Sequence, residues 1–429
     1  MNKNCLTSMT DQVQRIEHCG LYVDLISTSR GTVRVGSMPD IAKFLAHHGF
    51  REETVVIPNW EASMAGDNYT GEEFVLWQAQ VKGGIQKQYT GSPNNVNQMY
   101  RHLDETFSFF FDPQRISIIK KRWLNNWFGR QPATPTYVNG PLEIKTHKDN
   151  IIVSDHGQTL YDRHEFRPLW TPNQEINDLL SELPRDRNYR DCMEITPIGS
   201  GNGFIGTVSN IVVRFGKYVI WIDPCGYPAN TLAQHGIHWD DITHIIITHN
   251  HEDHIQGFSA CLKKAEHTGT RIQLLTAKGV YALLKKQFSP LCPAFNSLID
   301  ITFLDPRNPV DLGPIKIESR WNHHFLPYGT LGFRISAGGK SFGYSGDTKF
   351  DENINTILNR EELTPKWFAH CNLVFHEVDF DNPASVHSHW KQVEALQRAI
   401  PGQVLGYHSP HLDNAPLALV KEGHSYYLD

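Results

Sequence analysis

The spacing of apolar and polar residues changes near position 185 of this 429-residue chain. Before that point, strand-like and helix-like stretches are mixed. Ile41, Phe44 and Leu45 recur at helical spacing after Asp40 and stop at Gly49, which predicts a short helix. Residues 54–57 read as a strand, and 151–161 as strand, turn, strand. Residues 96–111 fit a helix with apolar positions at 99, 103, 107 and 110. Residues 116–128 are basic and aromatic. They read as a solvated helix face with Trp123 and Trp127 turned inward, in preference to a nucleic-acid contact.

From about 191 onward the rhythm differs. Short apolar strands are expected at 210–215, 218–222, 242–247, 272–275, 315–317, 331–335, 340–344, 373–375 and 404–407. Helical stretches are expected at 258–268, 278–288 and 390–399. Strands alternating with helices predict a layered α/β domain. Between the two regions, 130–141 holds three prolines and 184–190 is charged and poor in apolar residues. Both read as connectors. The expected organisation is therefore an N-terminal domain over 1–185, of mixed α+β character, and a second domain over 191–429.

Composition narrows the classes. Hydrophobic residues make up 40% and charged residues 20%, which suits a globular chain. A net charge of −6 gives no bulk support for a nucleic-acid backbone as main partner. The seven cysteines are odd in number and none has Cys-x-x-Cys spacing, so reduced thiols in a cytoplasmic protein are expected. No apolar leader or membrane-length apolar run is visible.

The chemistry concentrates at predicted strand ends. Ile245-Ile246-Ile247 runs directly into Thr248-His249-Asn250-His251-Glu252-Asp253-His254. Imidazole and carboxylate are ligands for zinc and similar ions, and side chains spilling from a strand end can be aimed at two neighbouring points. Later strands end in Asp223, Asn322-His323-His324, Asp347, His376-Glu377 and His408. Loops at strand ends are where a scaffold presents reactive groups.

This order of residues resembles the metallo-β-lactamase fold over 191–429, and most of all its ribonuclease Z and phosphonate-pathway cyclic phosphodiesterase (PhnP) branch. Thr248-His-x-His-x-Asp-His-Ile-Gln-Gly257, Tyr344-Ser-Gly-Asp-Thr348, and the series His376-Glu377, His387-Ser388 and His408-Ser409 carry the resemblance. It implies an αββα sandwich. It also implies two divalent ions, Zn²⁺ first, with Mn²⁺ or Fe²⁺ as alternatives. One ion would be held by His249, His251 and His323, with His324 still competing for the third place. The other would be held by Asp253, His254 and His408, and Asp347 would bridge the pair. Asp223 would orient a ligand imidazole. A hydroxide between the metals would attack, Asp253 would sit beside it, and His387 oriented by Glu377 would be the acid.

The implied activity is hydrolysis of a small or cyclic phosphodiester. Lactone or ester hydrolysis and a non-catalytic, partner-binding role are the alternatives. Residues 258–321 lack a Gly- and Pro-rich transfer-RNA arm, and Pro410-His411 replaces the family's Arg-Tyr, so transfer RNA is not the expected substrate. A homodimer or protein partner acting through 1–185 is kept open.

Overall fold

The computed structural model describes residues 6–18, 21–36, 41–58, 87–97 except 95, and 134–164 except 148 and 149. It also describes 191–429 except 204, 205, 227, 290, 291, 325–328, 351, 358–364, 384, 410, 411 and 413. The expected helix over 116–128, most of that over 96–111, and the connector at 184–190 lie outside the described residues. By Cα proximity the chain divides into two units. One is Met1–Leu179 with Gln256–Lys263, and the other is Leu180–Ile255 with Lys264–Asp429.

The first unit holds strands β1 (Leu6–Ser8), β2 (Val13–His18), β3 (Leu21–Thr28), β4 (Gly31–Val35), β5 (Thr54–Ile57) and β6 (Gln88–Gly91). They form one sheet in sequence order, antiparallel up to β4 and parallel from β4 to β6. Helix α1 (Ile41–His47) lies in the β4–β5 crossover, where the apolar spacing predicts it. A second, antiparallel sheet follows: β7 (Thr136–Asn139), β8 (Leu142–His147), β9 (Asn150–Asp155) and β10 (Gln158–Asp162). Alternate residues Leu142, Ile144, Ile151 and Val153 join Val13, Ile26, Val33 and Val56 in one buried cluster, as period-two strands require.

The second unit carries β11 (Met193–Gly199), β12 (Asn210–Phe215), β13 (Tyr218–Ile222), β14 (His244–Ile246), β15 (Ile272–Thr276), β16 (Ile299–Phe303), β17 (Val310–Asp311), β18 (Lys316–Trp321), β19 (Leu331–Ala337), β20 (Lys340–Tyr344), β21 (Leu373–Glu377), β22 (Gln403–Tyr407) and β23 (Tyr426–Leu428). One sheet has the order β16-β15-β14-β13-β12-β11-β23, and the other β17-β18-β19-β20-β21-β22. Each is antiparallel on one side and parallel on the other. The second unit is therefore α/β, built on two mixed sheets.

The parallel strands β21 and β22 are buried along almost their whole length, as strands covered on both faces are. Val393 and Leu396 of the helix over Trp390–Ala399 pack there with Val374 and Val404. Switch strands β13 and β20 have an antiparallel neighbour on one side and a parallel one on the other. Ligands gather at the carboxyl ends of parallel strands, where side chains are not consumed by the sheet. Asp223, His249, Asp347 and His408 all stand just beyond such ends. Among the described residues, no helix is long and apolar enough to cross a membrane.

Candidate metal centre

Asp223 follows β13 and is fully buried. One carboxylate oxygen accepts the Thr248 backbone N–H at 2.8 Å. The other accepts the Thr248 hydroxyl at 2.7 Å and faces His254 Nδ1 at 2.8 Å. Because the Thr248 proton is committed to Asp223, its oxygen is left to accept from His249 Nδ1 at 3.0 Å. Both imidazoles then carry their proton on Nδ1 and present an Nε2 lone pair. His408 is set the same way. Ser209 Oγ donates to the Gly201 carbonyl at 2.9 Å, so it accepts from His408 Nδ1 at 3.0 Å. Partners that fix the tautomer of a ligating histidine in this manner are a common feature of metal sites.

The lone pairs converge. His249 Nε2 lies 2.9 Å from His251 Nδ1, which lies 3.2 Å from His324 Nε2. Asp347 Oδ2 is 3.8 Å from His249 Nε2 and 3.7 Å from His324 Nε2. Ligand atoms held about 2.1 Å from one tetrahedral ion lie about 3.4 Å apart, which these four distances bracket. A second group adjoins the first. Asp347 Oδ1 is 3.3 Å from His254 Nε2, Oδ2 is 3.5 Å from His408 Nε2, and Asp253 Oδ2 is 3.8 Å from His408 Nε2. Asp347 thus reaches both groups, as a carboxylate with two oxygens can.

His254 Nε2 and Asp347 Oδ1 are buried with no hydrogen-bond partner, which is costly unless something positive stands between them. Burial opposes a charge on His254, yet Asp347, Asp223 and Asp253 raise its pKa well above the ordinary value. The field at this point calls for a cation. Burial pushes His251 down to about 3, and His324 and His408 to about 4, so their lone pairs are free of protons at neutral pH. The residues fit one or two divalent ions.

Of the sequence-derived set, His249, His251, Asp253, His254, Asp347 and His408 are brought together. Beside His249 and His251 the structure brings His324, where the sequence favoured His323. Beyond β18 the extended chain turns alternate side chains the same way. Asn322 faces the Asp347 turn, donating to the Ser345 and Asp347 carbonyls at 2.6 and 3.0 Å, and His324 follows two residues later. His323 meets that turn through its carbonyl, which accepts from Lys349 N at 2.6 Å. Gly346 completes the turn at φ +57°, and a Cβ there would stand 2.2 Å from the Leu331 carbonyl oxygen.

Glu377 ends β21 and is buried. It accepts from Thr348 N and pairs with His387 Nδ1, leaving His387 Nε2 for other contacts. The His387 ring stands 5.4 Å from that of His324 and 5.7 Å from that of His408. Burial works against a charged His387, but the Glu377 carboxylate pushes its pKa up to about 10. His389 precedes the helix over Trp390–Ala399, and its N–H donates to the Gln392 side chain at 2.9 Å. Sequence reasoning assigned no role to Thr248, Ser209 or Asn322. Ser209 lies 199 positions from the histidine it serves, and no local pattern marks it.

A family model described as anti-Pycsar protein Apyc1 matches residues 193–423. A Dictyostelium discoideum protein named cGMP-dependent 3′,5′-cGMP phosphodiesterase A is 30% identical over 178 residues, which is 39% of this chain and 20% of that protein. The match therefore spans a fifth of the Dictyostelium protein. The anti-Pycsar protein Apyc1 of Paenibacillus sp. (strain J14) is 26% identical over 230 residues, 51% of this chain and 89% of that protein. Among solved structures, a diphosphatase from the PhnP family aligns at 14% identity with TM-score 0.45, covering 55% of this chain and 98% of its own. The Bacillus subtilis metallo-beta-lactamase fold protein YhfI aligns at 19% identity with TM-score 0.43, covering 52% and 88%. The family match takes in more than half of the chain, and the chain belongs to the anti-Pycsar Apyc1 family.

Proposed function

We propose that the chain is a dinuclear metal-dependent phosphodiesterase acting on a small cyclic phosphodiester, with a 3′,5′-cyclic nucleotide as the leading substrate class. The catalytic domain would be 191–429 in an αββα arrangement, and 1–185 a separate domain. The observation that carries the reading is Asp347, buried between His249 and His324 on one side and His254 and His408 on the other. The cyclic-nucleotide step draws on the name of the Dictyostelium relative.

His249, His251 and His324 would hold one ion, and Asp253, His254 and His408 the other, with Asp347 shared. Two divalent cations supply an activated water near neutral pH and neutralise charge gathering on phosphorus. The chain's own residues do the rest. Asp223 and Thr248 fix the imidazoles of His254 and His249, so no reorganisation accompanies the reaction. As the new P–O bond forms and the ring P–O bond breaks, the departing alkoxide needs a proton. His387 would give it from Nε2 while Glu377 steadies the imidazolium.

The test is turnover of 3′,5′-cyclic GMP, loss of turnover on chelation, and recovery with Zn²⁺ or Mn²⁺. Asp347→Asn is expected to lower turnover at least a hundredfold. His387→Gln is expected to impair the cyclic nucleotide far more than a p-nitrophenyl diester, whose leaving group needs no proton. Lactone opening without any phosphodiester cleavage overturns the reading, and so does cleavage of precursor transfer RNA in preference to cyclic nucleotides.

A further inference from the structure

A cleft of about 1140 Å³ lies in the second unit, lined by residues of both its sheets, and no residue of the metal centre lines it. Its volume lies just above the roughly 300–1,000 Å³ of small-ligand sites, so a small ligand would fill only part of it. The rim carries Lys278 at the end of the β15 connection, Arg307 beyond β16, and Lys366. All three are exposed. Arg307 has Asp305 as a neighbour at 3.3 Å, whereas neither lysine has a carboxylate partner among the described residues. Asp305, the one carboxylate of the lining, is taken up by Arg307, so the two lysines leave a net positive charge at the rim that an anion would offset.

Three large aromatic rings, Phe303, Trp321 and Trp367, also line the cleft. Phe303 keeps 43% of its surface exposed beside this rim, although a ring of that size is ordinarily covered. Trp321 and Trp367 contribute further ring surface. Arg334 stacks on the Trp367 ring at 4.2 Å and holds its carbonyl at 2.8 Å. A ligand that answers these features has a planar ring and a phosphate. Base-on-aromatic stacking contributes about 1–3 kcal/mol per base, so Phe303 is a credible platform.

We propose that this cleft is a nucleoside monophosphate site, distinct from the metal centre. Lys278 and Lys366 would take the phosphate dianion, and Phe303 would stack with the base. The inference stands without the phosphodiesterase reading, since the two sets of residues do not overlap. A dianionic monoester also suits unpaired lysines better than a monoanionic cyclic diester does, which sets the cleft apart from a second substrate pocket.

Isothermal titration of the full metal-loaded chain with guanosine 5′-monophosphate, guanosine and inorganic phosphate tests it. The nucleotide is expected to bind at least tenfold more tightly than either fragment. Lys278→Glu combined with Lys366→Glu is expected to weaken it tenfold or more, with thermal midpoint and p-nitrophenyl diester hydrolysis unchanged. Asp347→Asn is expected to leave nucleotide binding intact. Phe303→Ala supplies a charge-neutral check, with a loss of affinity for the nucleotide but not for phosphate. The proposal is overturned if the double lysine variant binds as the parent does. Loss of binding in Asp347→Asn would equally overturn it, by locating the nucleotide at the metal centre.

Discussion

Asp223 and His408 hold left-handed backbone, at φ 51° and 54°, although neither is glycine. Such residues cost on the order of 1–3 kcal/mol each and persist where surroundings over-determine them. Here the surroundings are hydrogen bonds that aim two imidazoles at one carboxylate. The histidines and aspartates themselves are legible in the sequence, because His249-x-His251-x-Asp253-His254 is local. The third histidine is not, because choosing His324 over His323 requires knowing which face of the chain Asn322 takes after β18. Thr248 stands in the local motif, but the sequence does not show that it passes the order of Asp223 on to His249. Thr248→Val keeps the shape and removes the hydroxyl, so His249 loses its fixed tautomer. Metal affinity, read by competition with a chromogenic chelator, should fall about 10- to 100-fold. Equal affinity in variant and parent would show that the hydroxyl does not orient the ligand.

Asn210–Phe215, Tyr218–Ile222 and Lys340–Tyr344, with the helices at Phe258–Thr268, Lys278–Phe288 and Trp390–Ala399, match the spacing of apolar residues in the sequence. Met193–Gly199 does not, because Pro197 interrupts the run and the register shifts there. Tyr426–Leu428 is a short edge strand whose pairing comes from β11, more than 200 residues away. The buried strand β21 has a consequence for pH. Its His376 is enclosed between Phe350 and Phe368, with ring centroids 6.2 Å away in each case, and donates to the Glu377 carbonyl at 2.8 Å. Burial lowers its pKa to about 4, against about 6.5 in an unfolded chain. Between these values the unfolded state binds the extra proton. The stabilising share of a neutral His376 is therefore full above pH 6.5 and is lost as pH falls towards 4, by up to about 3 kcal/mol. His376→Gln removes the titrating group, so its stability deficit relative to the parent should shrink as pH drops through that window. A deficit constant from pH 7 to pH 4.5 in parallel thermal melts would contradict the assignment.

At the scale of the whole molecule, the second unit carries the motif that the sequence displays, while the first offers sheets and a core without one. That asymmetry follows from the physics. Metal ligands must be specific residue types at specific spacings, whereas a buried sheet needs apolar residues in alternation and leaves no chemical signature. In the second unit, metal binding would link stability to cations. Asp223, Glu377 and Asp347 are nearly or wholly buried, and the lone pairs of His249, His251 and His324 face one another. A cation would hold such a set together, and the unfolded chain could not bind it in the same way. At a free ion concentration about 100 times Kd, binding adds about 2.7 kcal/mol of stability. For a unit of this size that corresponds to a thermal midpoint about 5–10 °C higher. Chelation should lower the midpoint by that amount, Zn²⁺ should restore it, and Asp347→Asn should shrink the shift. The readout needs no substrate. A melt that chelator and Zn²⁺ both leave unmoved would mean that the buried carboxylates are balanced within the chain and that the centre does not hold metal.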